Sequence, residues 1–236
     1  VGADGASADP ADPASASAEV EVLIAASRKE RVQERQDLAA AAGLRPVILD
    51  IESFAARLAA RRLLGSLPHE GSQPVVALVE LGTVASGMQV IDGEQVLYER
   101  DQAVGGARLT EQIARAYGLT PDEAESRKRR GDLPEDYPLT LLRPFIGSIA
   151  QEIARALQFF FNSTPYHRVD GVLIAGGCAG VPGLVQAIAR QTSFPCHLAH
   201  PFEGMRVAAS VSPHALRGQA AAYLTACGLA LRRFLQ

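Results

Sequence analysis

The order of glycine turns from residue 75 onward constrains the fold of this chain more than any other feature of its sequence. Val75–Leu81 is an apolar run typical of a buried strand, and a turn of small residues follows it up to Ser86. Met88–Ile91 and Gln95–Glu99 have the character of two further strands, and Asp92-Gly93 between them is typical of a tight hairpin. The pattern therefore predicts three antiparallel strands joined by short turns.

Helices and short buried strands alternate over the rest of the sequence. Apolar spacings of three and four predict a long amphipathic helix that buries Phe160 and Phe161, although the run 159–161 could also expose an aromatic side chain to a partner. Thr120 and Glu123 form a capping box before a short helix that Gly131 ends. The predicted elements are helices over 109–117, 121–130 and 139–161, a strand over 172–175, a helix from Pro182, a strand over 196–198 and a helix over 218–234. This alternation after an antiparallel start indicates an α/β domain with a mixed sheet.

The first 73 residues have a different character. After the first residue, 1–18 contains only Ala, Ser, Asp, Pro and Gly, a composition that predicts a flexible linker. Alternation over Val20–Ile24 predicts a strand, and Ser27 with Glu30 predicts a capping box for a helix that ends at Ala42. A short buried strand over 47–49, a helix from Asp50 or Ser53 to Leu64 and a connector over 65–74 are expected to follow.

Composition excludes several classes of protein. The 236 residues carry 23 Lys and Arg against 26 Asp and Glu, a net charge of -3, so the sequence lacks the basic excess of a general nucleic-acid binder. Cys178, Cys196 and Cys227 are far apart, which predicts neither a disulfide framework nor a zinc site and favours a reducing compartment. No apolar run approaches the about 20 residues of a membrane span, and no signal-peptide pattern is present. These features predict a cytosolic protein.

The turn after the first strand of the hairpin has the residue types of a phosphate loop. Gly82 lets backbone N–H groups approach an anion, and the hydroxyls of Thr83 and Ser86 can donate further hydrogen bonds. Glu80 at the strand end can hold a water bound to a metal ion. The same residues also suit an ordinary hairpin whose glycine relieves strain, so both interpretations stay open at this point.

A second glycine turn joins the late buried strand to a helix. Gly176 and Gly177, followed by Cys178, would let a planar ring or a ribose lie against the backbone near a helix N-terminus. The turn is not a Walker A loop, because no Gly-Lys-Ser/Thr follows, and it lacks the G-x-G-x-x-G spacing of a dinucleotide site. A tight strand-to-helix connection explains it equally well.

Taken in order, these pieces are more specific than any one of them. An acidic-x-Gly hairpin, a Gly-Gly helix start at Gly105-Gly106 and a strand ending in Gly176-Gly177 resemble the second half of the actin-like ATPase fold. Five segments narrow the match, namely VGGARLTEQI at 104–113, KRRGDLPEDY at 128–137, RALQFFF at 155–161, IAGG at 174–177 and ACGLALR at 226–232. With these segments the sequence resembles the PilM family of type IV pilus assembly proteins, which is itself similar to the cell-division protein FtsA.

The resemblance implies an α/β fold of the actin-like ATPase (ribonuclease H-like) type, with the second half nearly complete over 74–236 and the first half truncated. Residues 19–73 would be the remnant of the first actin-like domain, comprising the end of an FtsA-type small subdomain and the return to the core. Residues 1–18 would be the linker. Because nucleotide in this fold lies between the two halves, we expect ATP and Mg²⁺ to bind the intact protein and this chain alone only weakly.

The resemblance also implies a set of nucleotide-binding residues. They are Glu80, Gly82, Thr83, Ser86, Gly105, Gly106, Glu125, Lys128, Gly176, Gly177 and Cys178, with Glu80 also a metal ligand through a water. Glu125 and Lys128 are included because actin-like folds place a Glu and a Lys of the equivalent helix near adenine and ribose. The sequence departs from the family pattern at Glu80, where Asp is usual, and at Val84, where a hydroxyl residue is usual. Both departures weaken the case for efficient ATP hydrolysis.

The implied function is that of a cytoplasmic scaffold, not an enzyme, at the inner face of the bacterial inner membrane. Such a scaffold would bind the N-terminal cytoplasmic peptide of PilN, contact pilus motor and platform proteins, and reach the membrane only through partners. It would respond to ATP rather than turn it over. One alternative is an active ATPase or sugar-kinase-like phosphotransferase on the same fold. The other is a relative of the type II secretion cytoplasmic domain, and the lack of a downstream transmembrane helix argues against that alternative.

Overall fold

The computed structural model describes residues 24–65, 67 and 73–234. The chain divides into two compact units, one of residues 1–49 and one of residues 50–236. The linker predicted over 1–18, most of the strand predicted over 20–24 and most of the connector predicted over 65–74 lie outside the described residues.

Within the described residues, the first unit contains one helix, α1 (Lys29–Ala41), none of whose residues is buried. The capping box predicted at Ser27 is wrong. The residue that precedes the helix is Arg28, so Glu30 stands at the second helical position instead of the third that a capping box requires. The strand predicted over Val47–Leu49 is also wrong: these residues have irregular backbone, Val47 is 75% exposed, and no described strand pairs with them.

The second unit is built around a five-stranded mixed sheet with the strand order β3-β2-β1-β4-β5. The strands are β1 (Val75–Leu81), β2 (Ser86–Asp92), β3 (Gln95–Gln102), β4 (Gly171–Ala175) and β5 (Cys196–Leu198). β1, β2 and β3 form an antiparallel meander, whereas β4 pairs in parallel with both β1 and β5. The predicted antiparallel start and mixed sheet are confirmed. The C-terminal ends of β1, β4 and β5 therefore share one edge of the sheet.

Helices cover both faces of this sheet. They are α2 (Glu52–Leu64), α3 (Ala107–Tyr117), α4 (Pro121–Arg130), α5 (Arg143–Ser163, after a π-helical turn at Pro138–Leu142), α6 (Leu184–Thr192), α7 (Pro213–Gln219) and α8 (Leu224–Leu231), with 3-10 turns at Ala220–Tyr223 and Arg232–Phe234. The capping box of Thr120 and Glu123 is confirmed, and Gly131 ends α4 in the left-handed conformation, as predicted. No described helix has the length and apolar character needed to cross a lipid bilayer.

Two predicted helix boundaries differ from the structure. The helix expected from Pro182 begins at Leu184, because Gly183 before it has a φ of +83°, outside the helical region. The single helix expected over 218–234 is divided into α7, a 3-10 turn and α8. At this turn the carbonyl of Ala221 accepts a hydrogen bond of 2.9 Å from the N–H of Gly176, so it serves the end of β4 instead of a continuous helix.

Alternate residues of β1 belong to two separate cores, as the two-residue period of a strand requires. Val79 shares one core with α5, including the fully buried Phe160, whereas Leu78 shares the other with α2 and α8. Burial of Phe160 is confirmed, Phe161 is partly buried against the same core, and Phe159 is exposed. α2 and α8 approach closely at Gly228, where an added Cβ would lie 1.7 Å from the backbone carbonyl oxygen of Ala55.

Candidate functional site

Three loops meet at the C-terminal edge of β1 and β4 and are joined by backbone hydrogen bonds. The turn after β1 accepts from the start of α3, through Gly106 N to Gly82 O at 3.0 Å and Ala107 N to Thr83 O at 2.8 Å. The loop after β4 joins the same junction, with Cys178 N donating to the carbonyl oxygen at the end of β1 over 3.1 Å. The two glycine turns singled out in the sequence and the Gly105-Gly106 helix start are therefore one structure.

Most of the glycines in this junction are required by packing. An added Cβ would lie 2.4 Å from Thr83 O at Gly105 and 2.2 Å from Cys178 Sγ at Gly106. At Gly176, which has a φ of +93°, it would lie 2.4 Å from the carbonyl oxygen of Leu81. Only glycine allows the three loops to approach this closely.

Gly177 is different from its neighbours. An added Cβ there would meet nothing within 4 Å, and the residue is exposed. Packing therefore does not explain this glycine, whereas close approach of a ligand to the backbone would. The ring or ribose contact expected at Gly177 stays a prediction.

The hydrogen-bond donors predicted for phosphate are largely engaged within the protein. The N–H of Gly82 donates to Ala85 O at 3.1 Å, and the Ser86 hydroxyl donates to Val104 O at 2.5 Å. The N–H groups of Gly106 and Cys178 serve the loop junction described above. Among the predicted residues, Thr83, on the exposed part of the turn, keeps a hydroxyl near solvent.

Glu125 and Lys128 lie together on α4 and share a hydrogen-bonded cluster with Thr110 of α3. The Thr110 hydroxyl donates to Glu125 Oε2 and accepts from Lys128 Nζ, both over 2.6 Å, and Lys128 also forms an ion pair with Glu125. Partial burial opposes ionisation of Glu125, but hydrogen bonds from Lys128, Thr110 and Arg129 outweigh it and lower its pKa to about 2. Glu125 is thus ionised at neutral pH.

The cluster lies near Cys178, which belongs to the loop after β4. Burial raises the pKa of the Cys178 thiol, although the charge of Lys128 acts in the opposite direction. The thiol donates to Gly82 O over 3.2 Å. The Cys178 side chain therefore links the loop after β4 to the turn after β1.

Glu80 is directed to the opposite side of the sheet, toward α2 and α8. Its Oε1 accepts a 2.9 Å hydrogen bond from the Thr225 hydroxyl. Burial raises the pKa of Glu80 to about 7, against the effect of the Thr225 hydrogen bond, and the negative charge of Glu52 adds to the rise. No group of three candidate metal ligands occurs within the described part of the chain, and the water-mediated metal contact predicted for Glu80 stays a prediction.

Sequence reasoning missed Thr110 and Thr225, which orient the two predicted acidic residues. Thr110 lies four residues after Gly106, one helical turn into α3, so its position next to the junction could have been read from helix periodicity. Thr225 carries no such signal, because its contact with Glu80 spans 145 residues.

With this geometry described, comparison with known proteins identifies the family. The model of the type IV pilus assembly protein PilM family matches residues 10–234. This chain belongs to the PilM family. The PilM-PilN type IV pilus biogenesis complex is similar in structure, with a TM-score of 0.73 and 25% identity over 87% of this chain and 58% of that chain. This chain therefore spans 58% of the length of that relative.

More distant structures show the fold. MreB5 of Spiroplasma citri bound to ADP has a TM-score of 0.56 and 12% identity, over 89% of this chain and 67% of that chain. Ta0583, an archaeal actin homolog, has a TM-score of 0.53 and 12% identity, over 82% of this chain and 57% of that chain. The predicted family and the predicted actin-like fold are both confirmed.

Proposed function

We propose that this chain is part of a scaffold that assembles the type IV pilus platform by binding the N-terminal cytoplasmic peptide of PilN. One observation carries the proposal: the chain belongs to the PilM family and resembles the PilM of a PilM-PilN complex over most of its length. The scaffold would lie at the cytoplasmic face of the inner membrane, held there by its partners, and would contact the pilus motor and platform proteins. Fold membership alone would not support this role, since actin-like folds serve many functions.

We further propose that nucleotide acts on this scaffold as a conformational ligand and is not consumed. The open surface over Gly177 and the charged side chains of Glu125 and Lys128 would receive the adenosine part. Bound ATP with Mg²⁺ would supply a negatively charged bridge between two domain arrangements. The chain offers few free donors for phosphate, because the N–H groups of Gly82, Gly106 and Cys178 are used internally.

The division of the chain follows from the same proposal. Residues 74–236 would form the second actin-like domain, residues 19–73 the end of the first, and residues 1–18 a linker. The phosphates of ATP would then be held mainly by the remainder of a first half. Tight nucleotide binding is accordingly expected only of a polypeptide with both halves.

The partner claim is tested by titrating a fluorescently labelled PilN N-terminal peptide with this chain and with a PilM that carries both halves, using a scrambled peptide as the control. Binding by the two-half protein and weaker binding by this chain are expected, because the family resemblance implies a peptide groove between subdomains of the first half. Equal binding by both would place the groove within this chain. Failure of the two-half protein to distinguish the PilN peptide from the scrambled one would refute the scaffold proposal.

A second candidate, an ATPase or phosphotransferase, is favoured by one observation. A carboxyl with a pKa of about 7, as Glu80 has, is in the range of a general base at neutral pH. Steady ATP turnover by the two-half protein, abolished by Glu80→Gln and retained by Thr225→Val, would establish the enzyme. Binding of ATP without turnover would leave Glu80 with a structural role and support the scaffold.

A further inference from the structure

β3 lies at the edge of the sheet. One of its flanks pairs with β2, and no described strand pairs with the other. An unpaired strand edge presents a row of backbone donors and acceptors that an extended peptide can use. The edge is eight residues long, from Gln95 to Gln102, which is sufficient for a short added strand.

A groove lies between the end of this strand and α5. Its volume is about 630 Å³, and it is lined by residues 100–104 and, on α5, by Glu152, Arg155, Ala156 and Phe159. This is the size of a typical ligand pocket. Phe159 is 51% exposed at one end of the groove, and the guanidinium of Arg100 lies over its ring, 4.9 Å from the centroid.

The charges along the strand edge alternate. Arg100 is directed toward α5, and since successive side chains of a strand point to opposite faces, Glu99 and Asp101 are directed to the other face. The edge therefore presents acid, base and acid in sequence. An added strand would place its own residues directly opposite these three, where opposite charges attract and like charges repel.

This alternation opposes pairing with a second copy of the same strand in the registers centred on the charged triplet. In a two-fold pairing, residues opposite each other share a face, so a pairing centred on Glu99, Arg100 or Asp101 places that residue opposite its own copy. Centring on Arg100 also puts Glu99 opposite Asp101. Every such register brings like charges together. A partner with the complementary order of charges would instead meet an opposite charge at each of the three positions.

We propose that the free edge of β3 and the adjoining groove dock an extended segment of another protein in which base, acid and base alternate between apolar residues. The acid would pair with Arg100 on the α5 face, and the two bases with Glu99 and Asp101 on the opposite face. An apolar side chain next to this triplet would enter the groove against Phe159. The groove ends at Val104, next to Gly105 of the glycine-loop junction.

The test uses two synthetic peptides, Thr-Val-Val-Lys-Glu-Lys-Val-Thr and its charge-reversed control Thr-Val-Val-Glu-Lys-Glu-Val-Thr, titrated into the full chain and followed by amide NMR shifts. The first is expected to bind at least tenfold more tightly and to shift the amides of β3 and the exposed face of α5. Every second peptide N–H faces the strand, so N-methylation at alternate positions can be made in two patterns. The pattern that methylates the N–H groups facing β3 should abolish binding, and the other pattern should not.

A charge exchange provides the specificity control. Arg100→Glu should weaken the Lys-Glu-Lys peptide about fivefold to tenfold and favour a Lys-Lys-Lys version, whereas Arg115→Glu makes the same charge change at an exposed site on α3 and should leave the preference unchanged. Unchanged circular dichroism would show that both variants fold. Absence of binding at millimolar peptide, equal binding of the two charge patterns, or shifts confined to other surfaces would each overturn the proposal.

Discussion

Replacement of Glu80 by Gln should change how the stability of the protein depends on pH. Burial against α2 and α8 raises the pKa of Glu80 from the ordinary 4.5 to about 7. Between these values the native state holds a proton that the unfolded state has released, so raising the pH favours unfolding. The Glu80 contribution to stability is therefore intact in acid, declines from about pH 4.5, and is fully lost above the folded pKa.

The size of the effect follows from this rise in the pKa of Glu80. Each pKa unit corresponds to about 1.4 kcal/mol, so Glu80 lowers stability by about 3 kcal/mol in total, of which about 2.5 kcal/mol falls between pH 5 and pH 8. Gln cannot ionise, yet its amide oxygen can accept the Thr225 hydrogen bond that Glu80 Oε1 accepts. The substitution therefore removes the titration and retains the contact.

The assay is urea unfolding of wild type and Glu80→Gln at pH 5 and pH 8. We expect the variant to gain about 2.5 kcal/mol relative to wild type over this interval. Glu125→Gln is the matched control: because the pKa of Glu125 is lowered to about 2, its linkage is confined to pH values below about 4.5, and its difference from wild type should be the same at both pH values. A Glu80→Gln difference that stays constant to within about 0.5 kcal/mol would refute burial as the dominant influence on Glu80.

Three further predictions concern glycines and a helix cap. Gly228→Ala should destabilise the protein by about 3 kcal/mol or more in thermal unfolding, because the added Cβ meets the backbone of α2. The control Gly147→Ala, in open space on α5, should stabilise the protein by about 0.5–1 kcal/mol. Stabilisation by both substitutions would contradict the close contact between α2 and α8. Gly106→Ala should lower the free energy of unfolding by about 1–3 kcal/mol. Gly177→Ala should leave the melting temperature unchanged and weaken nucleotide binding by a two-half protein. Equal losses of stability in the two variants would show that Gly177 is also required by packing. Thr120→Ala should cost about 1 kcal/mol by urea unfolding, whereas Thr120→Ser should retain most of the cap; no difference between the two would count against the capping box.

Local patterns in the sequence were sufficient for most elements of the second unit. The bounds of β1, the hairpin after it and the capping box at Thr120 depend on residues close together in the chain, and all were predicted. The strand predicted at Val47–Leu49 was wrong because strand formation also depends on residues that are distant in the chain. Three apolar residues form a strand only when another strand pairs with them. The three residues themselves do not indicate whether such a partner strand exists.

For the candidate site, too, some features follow from the sequence and others only from the tertiary structure. The sequence by itself determined the family, the order of the glycine turns and the side chains near them. Only the tertiary structure decided what each residue does: it assigned Gly106 and Gly176 to backbone packing and left Gly177 open. It also gave Glu80 a partner 145 residues away, Thr225. The physical reason is that burial, pKa and the space beside a glycine depend on neighbours brought in by folding, whereas turns and helix caps depend on neighbours in the chain.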